Sequence, residues 1–179
     1  MDAMKKKMFV IPFRGLKEKN HQFEYEIKRE FFEFYQYEDV CDANLLVQLD
    51  FNKKSTLIEA SFKVTGSVEV ICDLTNEPFQ QPIDAKLDLV IKFGEEFNNE
   101  DTDILILPHE AYEVDLSQYI YEMIVLAIPI KKVHPGVKDG TLKSEILDKL
   151  EELKPKEEIK NNKSSDPRWD KLKGLLTDK

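Results

Sequence analysis

The sequence predicts an α+β protein: an antiparallel β-meander rolled into a half-open barrel and covered by one helix, then a charged linker and a short C-terminal helix. Three observations predict it. From Ala43 to Phe93 hydrophobic residues recur with period two, from Asp115 the period lengthens to that of a helix, and beyond Gly136 the chain turns charged.

Upstream of the meander, "MFVIPF" and "QFEYEI" read as two short strands, and "REFFEFY" as a helical turn plugging one end of the sheet. In "NLLVQLDF" the residues Leu45, Val47, Leu49 and Phe51 share one face; after the turn "NKKS", Ile58, Ala60, Phe62 and Val64 share another, which makes a hairpin. Gly66 permits a bend, after which Val68, Val70 and Cys72 form the next strand. The turn "DLTNEP" then leads into a strand on which Ile83, Ala85, Leu87, Leu89, Ile91 and Phe93 alternate with polar residues. Four strands in series with one buried face are expected.

The covering helix is expected at about 115–128. Leu116, Tyr119, Ile120, Met123 and Ala127 fall on one face, Asp115 serves as N-cap with Gln118 three residues on, and Pro129 sets the stop. These elements make a β-rich core over 1–137. Residues 138–164 read as a charged linker with a helical turn or two around Ile146, Leu147 and Leu150. At 165–177 a short amphipathic helix opens with Asp166 as cap and Pro167 as first residue, and carries Trp169, Leu172, Leu175 and Leu176 on its apolar stripe.

A chain of 179 residues buries about 70% of its unfolded surface, so its core needs no metal or disulfide. The net charge of −9 argues against broad adhesion to a phosphate backbone or an anionic membrane. The apolar run after Lys7 is broken by Pro12 and Arg14, so it is expected to belong to the mature protein. No stretch reaches the roughly 20 apolar residues of a membrane span. Two cysteines without an export signal suggest reduced thiols and a cytoplasmic protein.

No constellation points to catalysis. Zinc needs four thiolate or imidazole ligands, usually with a close Cys pair, and the position three after Cys72 is Thr75; Cys41, His109 and His134 are all distant in sequence. The carboxylates of "GEEFNNEDTDI" lack the glycine and register of a calcium loop and read as a solvated loop. Phosphate-cradling glycine loops are absent. No cofactor and no small-molecule substrate are expected. His134 is either an exposed turn residue or, with Lys131 and Lys132, a small basic site for RNA or the ribosome, which Lys5, Lys6 and Lys7 would extend if nearby. Trp169 either packs on its own domain or anchors a partner.

Taken in order, "GSVEVICDLTNEPFQQPI", a strand ending in "KFG", an acidic loop, "YEVDLSQYIYEMIVLAIPIKKVHPG" and "DPRWDKLKGLL" resemble the YceD family, the large ribosomal RNA subunit accumulation proteins. Cys72 and Asp73 stand at the family's cysteine turn, Asp115 and Leu116 at its helix start, Pro129 at its helix end, and Asp166, Pro167 and Arg168 at its C-terminal motif. Where many members have a second turn cysteine this chain has Thr75, and "KKVHPGVKDG" lacks the later cysteines, so a metal site does not carry over and Cys72 reads as structural.

The resemblance implies a role in accumulation or maturation of large-subunit ribosomal RNA, with the large-subunit precursor as partner through its RNA, a small basic ribosomal protein, or both. The expected mode is binding, not catalysis. The competing readings are a chaperone-like escort for a basic ribosomal protein and a metal-dependent nuclease using Glu95, Glu96, Glu100 and Asp101.

Overall fold

The computed structural model describes residues 7–142 and 144–153. The chain divides into two compact units, Met1–Ser144 and Glu145–Lys179. The first holds β1 (Val10–Ile11), β2 (Asn20–Lys28), α1 (Arg29–Phe34), β3 (Val40–Lys53), β4 (Leu57–Ile71), β5 (Pro78–Gly94), β6 (Ile104–Pro108), β7 (Val114–Asp115), α2 (Ser117–Ala127) and the single turn α3 (Pro135–Lys138). The second holds α4 (Glu145–Leu153), whose Ile146, Leu150 and Leu153 recur at helical spacing, so the segment expected as linker contains a helix.

Alternation along the chain becomes a five-stranded sheet in the order β2-β3-β4-β5-β6. The first four strands are antiparallel and β6 is parallel to β5. It is a mostly antiparallel sheet with few helices, and no strand closes it into a barrel among the described residues. One face is apolar: Leu49, Phe62 and Leu87 stand opposite one another across β3, β4 and β5, and Phe51, Ile58 and Ile91 are wholly buried. Each such side chain contributes about 1.5–3 kcal/mol of burial. The other face is polar, laced by bonds such as Gln48 to Glu24 (3.0 Å) and Gln22 to Asp50 (2.8 Å).

The expected division at Gly66 does not occur, and three long strands replace four. The β3–β4 register runs unbroken past it, with Gly66 opposite Leu45, and shifts only between Val40 and Asp42. Gly66 has φ +139°, and a Cβ there would lie 2.2 Å from the Asn44 carbonyl oxygen. Glycine lets the backbone of β4 approach β3 this closely without ending the strand.

Helix α2 packs on β5 and buries Ile120, Met123 and Ile124, and the chain turns into Pro129 one residue past its C-cap Ile128. Its start differs from expectation. The N-cap is Leu116, and Asp115 belongs to β7; the Asp115 carboxylate accepts from the Ser117 N–H (2.9 Å) and hydroxyl (2.6 Å), while Gln118 donates to Glu122 (2.8 Å) and takes no part in a capping box. β7 pairs with β1, so the segment ahead of the helix is tied to the N-terminal region. Lys53 completes this by donating from Nζ to the carbonyls of Phe13 (3.0 Å) and Leu16 (2.7 Å).

Helix α1 sends Phe32 into the core. Phe31 meets Phe9 edge-on (5.1 Å between rings), and Tyr35, at the helix end, stacks on Tyr121 of α2 (4.1 Å, 13°). At the far edge, the acidic loop after β5 doubles back along β6, exchanging two backbone bonds between Asn98 and Ile106 (3.0 and 2.7 Å). Replacing Gly66 by alanine is expected to cost roughly 2–4 kcal/mol through strain and overpacking, read as a lower urea midpoint. Gly15→Ala, with nothing within 4 Å of the new methyl, is the control and moves stability by no more than about 0.5 kcal/mol.

Candidate functional site

The turn after β4 and the segment after α2 are stitched together at one end of the sheet. Within the turn the Cys72 N–H donates to the Glu77 carbonyl (2.9 Å) and the Asn76 N–H to the Cys72 carbonyl (2.9 Å), with Asn76 at φ 58°. An asparagine tolerates that left-handed conformation better than most residues. The Asp73 N–H donates to the Lys132 carbonyl (2.8 Å), and its Oδ2 accepts from the Lys132 N–H (2.7 Å). Lys132 Nζ donates to Asp39 (2.9 Å) just ahead of β3, so one lysine ties three segments. Its ammonium is raised above the ordinary lysine range, chiefly by that bond.

Cys72 is 1% exposed, and its sulfur accepts from the His134 N–H (3.3 Å). Burial pushes the thiol up. The His134 N–H, the Thr75 hydroxyl and the N–H groups of Leu74 and Thr75 together outweigh it, leaving the thiol below its ordinary range. Thr75 is itself buried, and its Oγ1 faces the sulfur without meeting any partner at full hydrogen-bond geometry. The His134 ring packs edge-on against Phe79 (5.5 Å), and its Nδ1 accepts from the Gly136 N–H (2.9 Å). That bond places the proton of a neutral ring on Nε2.

Of the residues singled out by the sequence, Cys72, Asp73, Lys132 and His134 thus meet in one clasp. Asp115 and Leu116 lie at the opposite end of α2, about 16 Å away along an 11-residue helix. Within the candidate basic site, Lys131 is exposed, Lys132 is committed to Asp39 and His134 is half-buried. Lys5, Lys6, Asp166, Pro167, Arg168, Trp169 and the 165–177 helix lie outside the described residues. Glu95, Glu96, Glu100 and Asp101 are all exposed, and no group of three or more metal-ligating side chains occurs among the described residues.

A second feature went unread in the sequence. Beside the outer edge of β2 lies a cavity of about 480 Å³, floored by Phe9, Tyr25, Phe31 and Tyr35 and rimmed by Glu24, Glu26 and Glu30. A second hollow of about 680 Å³ shares Phe34, Tyr35 and Ser117 with it and extends past Phe97 and Leu105 to Glu113. Three large apolar side chains stand open along this path: Met8 (60% exposed), Phe34 (40%) and Phe97 (58%). Tyr25 and Tyr35 titrate above the ordinary phenol range, first through burial, and so remain neutral donors.

Residues 60–176 match the family described as large ribosomal RNA subunit accumulation protein YceD. The match spans well over half of the chain, and the chain belongs to the YceD family, whose name points to large-subunit ribosomal RNA accumulation and thus to ribosome biogenesis. No curated protein and no solved structure matches it significantly. The matched span contains the whole clasp, but begins after β2 and α1, which supply most of the groove beside β2. No helix among the described residues is long and apolar enough to cross a membrane.

Cys72→Ala removes the acceptor of the buried His134 N–H and is expected to cost about 1–3 kcal/mol. A thiol pKa lower in the folded than in the unfolded chain stabilises above the unfolded value and is lost as pH falls through the folded one. The stability gap between wild type and Cys72→Ala should therefore widen as pH rises toward the ordinary thiol range, measured by urea titration across pH. In alkylation of the native protein, half-buried Cys41 should react first and Cys72 only on unfolding.

Proposed function

We propose that the protein promotes accumulation or maturation of large-subunit ribosomal RNA in the cytoplasm by binding the large-subunit precursor, without catalysing a reaction. The family match over residues 60–176 carries this reading. The clasp supports it: the motif residues Cys72 and Asp73 engage in fastening two chain segments. The carboxylates of the nuclease alternative stand on an exposed loop, whereas a two-metal centre needs rigidly held ligands beside a groove. In this reading the sheet curls as a half-open barrel around α2 and acts as a rigid platform.

Removing the protein from cells is expected to lower large-subunit ribosomal RNA relative to small-subunit RNA, and the protein should sediment with immature large subunits. An unchanged ratio together with absence from those fractions would sink the proposal. Purified protein with magnesium should leave precursor RNA intact. Cleavage lost on alanine substitution of Glu95, Glu96, Glu100 and Asp101 would replace binding by catalysis.

A further inference from the structure

We infer that the outer edge of β2 and the groove beside it form the docking site of an extended basic segment of a protein partner, which adds to the sheet as a sixth strand. This rests on the binding role above and names the partner's chemistry.

Three observations meet at this place. β2 is a nine-residue edge strand, paired on one side to β3, and its other side makes no backbone hydrogen bond to any described residue. Such an edge offers a row of donors and acceptors to an incoming strand. The aromatic floor of Phe9, Tyr25, Phe31 and Tyr35, with Met8 and Phe34 open above it, lies alongside. It can receive the apolar side chains of every second residue in an added strand.

The charge selects the occupant. Glu24, Glu26 and Glu30 rim the first hollow, with Lys28 the one cation among its described lining residues and within 3.5 Å of Glu26. Glu113 and Asp115 continue the acidic rim in the second hollow. Lysine or arginine side chains on such a segment would meet carboxylates at the rim and ring faces on the floor. A polyanion such as RNA would meet the carboxylates with the wrong sign, so a basic protein segment is favoured over nucleic acid.

The probe is a labelled 12-residue peptide alternating lysine with leucine and phenylalanine, titrated by fluorescence anisotropy into the full chain. Saturable binding is expected, with no binding of the same peptide carrying glutamate for lysine. Glu24→Lys with Glu26→Lys, and separately Phe34→Ser, should each weaken binding at least tenfold with thermal unfolding unchanged. Asp84→Lys with Asp88→Lys, an equal charge change on the outer face of β5, should alter it less than twofold. Equal loss in both charge-reversed proteins, or equal affinity for the acidic peptide, would overturn the proposal.

A photo-crosslinking residue replacing Phe34 in the full chain, mixed with the peptide and a single-stranded RNA, should join the peptide. Joining instead to the RNA, to a second copy or to the chain itself would assign the groove to that occupant and overturn the inference. In cells lacking the protein, full rescue by the Glu24→Lys, Glu26→Lys chain would remove the groove from the biological role and leave the ribosomal reading intact. Unchanged ribosomal RNA on loss of the protein would remove the ribosomal reading, while peptide binding in solution still reports on the groove.

Discussion

Three strands of 14, 15 and 17 residues, β3, β4 and β5, bury one face along most of their length, and most other elements are placed by the need to cover that face. A one-residue slip of β4 between its neighbours would carry Phe62, with Ile58, Ala60 and Val64, from the core face to solvent. Helix α2 supplies Ile120 and Ile124 to the cover, α1 supplies Phe32, and the N-terminal segment supplies Phe9, Ile11 and Phe13. The β1–β7 pair and Lys53 hold that segment in place, so the cover is itself fastened by backbone bonds. The asymmetry of the sheet, oily inside and amide-laced outside, follows from this single demand.

The clasp of Cys72, Asp73, Lys132 and His134 solves a related problem. The strand β4 ends at Ile71, and its turn must be closed against the segment that leaves α2. A buried sulfur accepting the His134 N–H does there what a carbonyl does elsewhere, satisfying a donor that would otherwise be stranded. Thr75 facing that sulfur fills the space without adding a second thiolate. All four clasp residues, through side chain or backbone, are engaged in joining that turn to the segment after α2.

Much of this was legible in the sequence because it rests on local periodicity. The two-residue alternation of β3 to β5, the helical spacing of Leu116, Ile120 and Met123, and Pro129 beyond the helix all map onto the structure. The failures are instructive. The pattern around Gly66 predicts two strands, but the effect of this glycine depends on Asn44, 22 positions away, which no local pattern reveals. Asp115 has the residue type of an N-cap, yet pairing with β1 drew it into a strand. Lys132 looked like a free cation because its partner Asp39 is distant in sequence. The groove did leave a trace: "REFFEFYQY" places five aromatic residues between 31 and 37, more than the one face of a six-residue helix can hide. The surplus faces Phe9, Tyr25 and solvent.

The two sides of the sheet are unequal. Asn98 bridges to β6, whereas no described segment pairs with the outer edge of β2. β6 covers β5 only from Val90 to Gly94, so that margin is stepped, whereas β2 presents nine consecutive residues in one run. Strand addition on the two sides would therefore differ in kind: a straight seam along β2, and an interrupted one where β6 gives way to β5.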